Sequence, residues 1–210
     1  MLKKILGTVV VVIVVLVGVA YLLPRHVHVE RSVVVDRPAG VVFQILNSFK
    51  HFQEWSPWVD YDPNAQVSYS GPESGVGAKM AWAGNDKVGK GSQLITDSEP
   101  GARVATDLDF GGMGSAKAAF VLKGDGGVTR VTWLLDLDMG NGPIGRYMGL
   151  FMDGMIGKDY EKGLTRLKAL AEKLPADGAA PDAGTATGGT STNPSDPPPT
   201  GPVRPAAGQA

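Results

Sequence analysis

The chain has no cysteine among its 210 residues and only three histidines, His26, His28 and His51. The first absence excludes disulfides, thiolate nucleophiles and zinc–thiolate sites, and it fits any compartment. The second leaves little for a metal centre. His26 and His28 share one side of a strand, but two ligands do not make a site, so neither a metal nor a cofactor is expected. No serine sits in a nucleophile-elbow pattern, and the glycine runs 84–91 and 111–114 lack the Lys-Ser/Thr of a phosphate loop. The acidic pairs Asp107/Asp109 and Asp136/Asp138 read as a solvated sheet face rather than as acid–base partners. No residue is therefore nominated as catalytic. Charge is nearly balanced, 20 basic against 21 acidic residues. Both signs are spread along the chain without a basic patch, which argues against a nucleic-acid partner.

What the chain does have is one long uncharged run. Ile5–Leu23 holds 19 residues, ILGTVVVVIVVLVGVAYLL. As a helix it would span ~28 Å, close to the hydrocarbon thickness of a bilayer. The β-branched residues from Val9 to Val15 favour a strand in water, but a lone strand in lipid leaves its backbone unpaired, so a helix is expected. Its terminal position, between Lys3-Lys4 and Pro24-Arg25, argues against a buried core element. Gly18 and Ala20 have the spacing a signal peptidase accepts. The apolar run nevertheless continues through Tyr21-Leu22-Leu23, which favours an uncleaved single-pass anchor. The basic tail Met1–Lys4 is expected to stay in the cytoplasm, leaving the domain extracytoplasmic, periplasmic or extracellular; Arg25, Arg31 and Arg37 nearly balance that argument.

At the other end, residues 175–210 carry eight prolines, no aromatic residue and a single valine. Such a composition cannot build a core, and a disordered tail is expected. Residues 26–174 remain, the size of one domain. They begin with a strand, Val27–Val35. A helix follows with Asp36 or a neighbour as cap, Pro38 in its first turn and an apolar face of Val41, Val42, Ile45 and Leu46. A second short helix is expected at Lys50–Trp55, stopped by Ser56-Pro57. Six strands come next, at about Ala65–Ser70, Gly77–Ala83, Gly89–Asp97, Arg103–Phe110, Ser115–Lys123 and Thr129–Asp138, with glycine-containing hairpin turns between. Tyr160, Leu164, Leu167 and Ala171 mark a closing helix that ends at Pro175. Its beginning is ill-defined, because Gly149, Gly154 and Gly157 weaken the stretch Tyr147–Gly157 as regular helix. The pattern is α+β.

Particular segments resemble a known family. Val29-Glu30-Arg31-Ser32-Val33 with Arg37-Pro38-Ala39 and Val42-Phe43 is similar to its first strand and helix. Trp55-Ser56-Pro57-Trp58 with Asp62-Pro63 is the most recognisable segment. Gly71-Pro72-Glu73 with Gly75-Val76-Gly77, Trp82, Thr129–Trp133 and Lys162-Gly163-Leu164 with Leu167-Lys168 complete the match. Together they resemble the START-like (SRPBCC) superfamily and, within it, the polyketide cyclase/dehydrase and lipid-transport group. The resemblance implies a helix-grip fold: a curved antiparallel sheet of about seven strands around a long C-terminal helix, with a cavity between them. It further implies hydrophobic or amphipathic ligands and, in some members, cyclisation or dehydration of a bound polyketide. Fold alone does not decide among these functions.

A pocket for such ligands needs aromatic and aliphatic walls with few polar anchors. The candidates are Trp55, Trp58, Trp82, Phe110, Phe120, Trp133 and Tyr147, any one of which could equally be core. Met148, Met152 and Met155, beside glycines, suggest a pliable wall or gate, or else plain gap-filling. Arg130 and Arg146 are weaker candidates for an acidic head group. The leading reading is a membrane-anchored binder or carrier of a hydrophobic small molecule or lipid. The alternatives are a cyclase or dehydratase in the same cavity, and a ligand-free module that meets a protein partner the sequence does not specify.

Overall fold

The computed structural model describes residues 1–111 and 114–176. The proline-rich tail, apart from Pro175 and Ala176, lies outside the described residues. An N-terminal helix α1 (Leu2–Ala20) is long and apolar enough to be a membrane span or a signal sequence. It stops three residues short of the end of the uncharged run. Pro24 disfavours helical backbone at Leu23, and Tyr21–Leu23 close in a turn. Ala20 is the buried residue of α1.

The domain begins with β1 (His26–Val35) and α2 (Ala39–Leu46). Pro38, not Asp36, occupies the N-cap position of α2. Asp36 is held elsewhere, its backbone N–H donating to Glu172 Oε1 at 2.9 Å. The expected second helix is split into a 3-10 turn Phe49–His51, capped by Ser48, and α3 (Phe52–Trp55). A further 3-10 turn, Pro57–Asp60, leads into the strands.

These are β2 (Gln66–Ser70), β3 (Lys79–Ala83), β4 (Lys90–Glu99), β5 (Arg103–Asp109), β6 (Ser115–Asp125) and β7 (Val128–Asp138). All pair antiparallel in the order β1-β7-β6-β5-β4-β3-β2. The turn between β6 and β7 is Gly126-Gly127, with φ of 55° and 95°. Two consecutive positive φ values make the tight turn whose twist suits a hairpin, and glycine takes them without a Cβ clash.

The closing helix α4 (Pro143–Ala171) is continuous over 29 residues. Of the glycines expected to interrupt it, Gly154 faces open space, while Gly149 and Gly157, like Gly163 farther along, are contact points. A Cβ on Gly149 would lie 3.0 Å from Val27 Cγ2, one on Gly157 would lie 2.0 Å from Arg31 Nη2, and one on Gly163 would lie 2.9 Å from Trp133. Missing side chains let the helix lie close on β1 and β7, and that packing outweighs the ~1 kcal/mol propensity cost per glycine. Arg31 on β1 fixes the pairing by donating to Asp153 Oδ1 (2.9 Å) and Glu161 Oε1 (2.8 Å) of α4. Farther along, Arg37 Nε donates to the Leu174 carbonyl at 2.7 Å, and its Nη2 donates to that of Glu172.

The sheet's inner face and α4 enclose two different regions. Near the β6–β7 hairpin, Val35, Val104, Leu122 and Val131 pack with Val42 of α2 in a fully buried core. At the opposite end, where β1 starts beside the end of β7 (His26 faces Asp138), the packing opens.

A candidate ligand cavity

A cavity of about 230 Å³ occupies that opposite end. Its walls come from α3 and the turn after it (Phe52, Trp58, Val59), β2 and β3 (Val67, Met80, Trp82), β4 and β5 (Gln93, Leu108, Phe110 just beyond), β6 and β7 (Ala118, Trp133, Leu135, Leu137) and α4 (Ile156, Tyr160). Alternation along each strand delivers them, since every second side chain points inward. Register then lines them up across the sheet: Leu137 faces Ala116, which faces Leu108, and Leu135 faces Ala118.

Four of the aromatic residues proposed as lining, Trp58, Trp82, Phe110 and Trp133, lie on the wall. Trp55 and Phe120 sit behind it, 1% and 4% exposed. The Trp55 ring meets Phe120 and Trp133 edge-on, at centroid distances of 5.8 and 5.3 Å. Tyr147 is directed elsewhere, its hydroxyl donating to the Leu16 carbonyl of α1 at 2.8 Å. Met148 and Met155 face outward, 46% and 59% exposed, and Met152 is half-buried. The aliphatic and helical wall residues were not nominated from sequence; Leu108, Leu135 and Leu137 carried an alternation signal, and Tyr160 a helical one.

Two details shape the wall. Gly91 faces Trp82 across the β3–β4 ladder, and a Cβ there would lie 2.5 Å from the indole and 2.5 Å from the Asp109 carbonyl. The absence of a side chain lets the indole fold over β4. Tyr160 covers the opposite side, stacked on Trp133, and its burial pushes the phenol pKa up so that it stays protonated.

Polar groups on the wall are few. Gln93 is buried, and Gln53, Ser56 and Asp62 join it. Asp62 is locally engaged: Oδ1 accepts the Asn64 N–H at 3.1 Å and Oδ2 the Asn85 N–H at 2.7 Å. Asp62 and Tyr160 are the ionisable groups among the lining residues, and no basic side chain is among them. Arg130 is exposed, and Arg146 donates to the Tyr21 and Leu23 carbonyls at 3.1 and 2.9 Å, so neither reaches the cavity. Among the described residues no cluster of three or more His, Cys, Asp or Glu side chains suited to a metal ion occurs.

An antiparallel sheet closed by one long C-terminal helix, with an apolar cavity between, defines a helix-grip protein. Residues 26–172 match the family described as polyketide cyclase/dehydrase and lipid transport, and the chain belongs to that family. Solved structures agree on the fold. The Zhui aromatase/cyclase from Streptomyces sp. R1128 is 16% identical and aligns over 74% of this chain and 99% of its own, with a TM-score of 0.50. The di-domain ARO/CYC StfQ of the steffimycin biosynthetic pathway is 10% identical over 70% of this chain and 51% of its own, at 0.53. A Thermobifida fusca protein is 19% identical over 70% and 94%, at 0.53. No curated protein matches.

Proposed function

We propose that the protein is a membrane-tethered binding or carrier domain for a neutral hydrophobic small molecule, with a lipid among the candidates. One observation carries this reading: the wall is aromatic and aliphatic, with a buried carboxamide and no basic group. An apolar cavity of about 150 Å³ holds benzene, so this one suits a compound of about two fused rings or a short acyl segment. The lack of a cation disfavours carboxylate and phosphate head groups inside, because a buried anion needs a partner. Gln93 can orient a carbonyl or hydroxyl.

In this reading α1 is an uncleaved anchor. The short basic tail Lys3-Lys4 stays in the cytoplasm and the domain lies on the other side. Leu23 and His26 are close in sequence, so the domain sits against the bilayer, with the open end of the sheet nearest it.

A cyclase or dehydratase function in the same cavity is the second reading, supported by the family description and by the cyclase names of two structural neighbours. On this wall the proton-transfer work would fall to Asp62 and Tyr160.

The test is extraction and mass spectrometry of small molecules that co-purify with the full chain, compared with Ala118→Trp, which fills the cavity. A compound retained by the wild type and lost in the variant supports binding. Equal content in both contradicts it. Compound recovered chemically altered, with conversion lost in Asp62→Asn, favours the enzyme.

A further inference from the structure

The first half of α4 presents an apolar face to the outside. Ile144, Met148, Phe151 and Met155 follow one another at helical steps of four, three and four, and are 79%, 46%, 63% and 59% exposed. They form one line on the side of α4 opposite Tyr160 and Leu164. Leu150, 54% exposed, flanks it. A helix packed on a sheet in water normally turns its polar side outward, and here the outer line becomes polar only at Lys158 and Lys162. Single domains in water rarely leave so continuous a strip uncovered.

Contacts with α1 indicate what covers it. Tyr147, between Ile144 and Met148, bonds the carbonyl of Leu16, four residues before the end of α1. That is ~6 Å along the helix axis, inside the apolar segment rather than beyond it. Arg146 caps the Tyr21 and Leu23 carbonyls, and its guanidinium lies 5.3 Å from the centre of the Tyr21 ring. The first turns of α4 are thereby held level with the last turns of α1. Tyrosine and arginine at that height match the aromatic and snorkelling residues of a membrane–water boundary. The lysines that follow the strip stand where head groups would be.

We infer that α4 between Ile144 and Met155 is an interfacial membrane helix, its outer strip embedded in the lipid surface beside the point where α1 emerges. This rests on the reading of α1 as an anchor. Two elements then hold the domain, a crossing helix and a surface-lying one, and they fix its orientation with the cavity end toward the bilayer.

A cysteine-free chain makes the test clean. Single variants Val12→Cys in α1, Phe151→Cys and Met155→Cys on the strip, and Asp125→Cys at the far hairpin are labelled with an NBD fluorophore. The full chain is reconstituted in phosphatidylcholine vesicles with and without doxyl-labelled lipid. Expected is loss of most emission at Val12→Cys, Phe151→Cys and Met155→Cys, and little loss at Asp125→Cys. Quenching at Val12→Cys with none on the strip overturns the inference and leaves the anchor standing. Strip probes that are unquenched, while the unlabelled Phe151→Cys and Met155→Cys chains form interchain disulfides under mild oxidation, assign the strip to a second copy, which also overturns it. No quenching at Val12→Cys removes the anchor and the inference together.

Discussion

Tyr160 lies flat on Trp133, the ring centroids 3.7 Å apart and the planes inclined by 10°. One ring belongs to α4 and the other to β7, and both line the cavity. The stack joins helix to sheet and walls the site at once. Truncating a buried aromatic typically costs ~3–5 kcal/mol, so Tyr160→Ala is expected to destabilise the domain by about that much. Tyr160→Phe keeps the ring and should stay within ~1 kcal/mol, because the stacking resides in the ring face. Denaturant unfolding followed by tryptophan fluorescence separates the two. Equal losses would mean that the hydroxyl, not the stack, matters.

Two glycines of α4 should respond oppositely to alanine. Gly154 has nothing within 4 Å of its absent Cβ, so Gly154→Ala gains helix propensity and should stabilise by ~0.5–1 kcal/mol. At Gly163 the same Cβ would lie 2.9 Å from Trp133 and 3.1 Å from Pro57. Neither neighbour yields easily, and Gly163→Ala should destabilise by ~1–3 kcal/mol, as overpacking does. The same denaturant unfolding reads both; matching signs would refute the contact-based account of these glycines.

Gly91→Ala is predicted to displace the Trp82 indole, since the methyl cannot coexist with it and the Asp109 carbonyl is backbone. Trp82→Phe serves as the reference that identifies its share of the emission. A change in wavelength or quenching in the wild-type background, absent in the Trp82→Phe background, is the expected result. Identical spectral changes in both backgrounds would place Trp82 elsewhere.

Acid and alkali should loosen different joints. Asp60 pairs with Lys162 and accepts from Arg166 Nη2 at 2.9 and 3.0 Å, and these cations hold its carboxyl below the ordinary 3.8. A lowered carboxylate contributes above its unfolded value and loses that contribution as pH falls through its folded one. The Pro57–Asp60 turn, which carries Trp58, should therefore release from α4 below pH 3.8. The ions are partly exposed, so the effect is modest and weakened by salt. His28 has the opposite sign. Its hydrogen bond with Asp136 raises its pKa above 6.5, so its contribution is complete below that value and disappears as pH rises through the raised one. Unfolding free energy followed against pH reads both. Asp60→Asn should shrink the acid loss by its own share, the remainder belonging to carboxylates lowered in the same way, such as Asp138, Asp153 and Glu172. Asp136→Asn should shrink the His28 contribution, of which Glu30 keeps a part. An unchanged profile in either variant would contradict the assignment.

The strands were legible because one face of each is buried. Val104, Thr106 and Leu108 alternate with solvent-facing residues, and each of the six expected strands after the helices lies within two residues of its observed bounds. The first half of α4 was not legible, because glycine is scored by propensity while Gly149 and Gly157 act through contacts with residues more than a hundred positions away. The cavity was half legible. Trp58, Trp82, Phe110 and Trp133 stand out as aromatics, but an aliphatic such as Leu135 looks the same in sequence whether it fills a core or borders a void. Periodicity does not show which side of the apolar stretch 144–156 faces inward: Met148, Met152 and Met155 stay off the wall, and within that stretch Ile156 reaches it.

Binding of a neutral apolar probe tests the central claim most directly. Native mass spectrometry of the full chain, released from detergent after incubation with the neutral two-ring compound 2-naphthol, counts bound probe without interference from the micelle. Wild type should carry one saturable probe per chain, and Ala118→Trp and Leu137→Trp, which narrow the cavity at different strands, should lose it. Probe retained equally by both variants, or never bound by a folded wild type, would contradict a ligand-binding cavity between the sheet and α4.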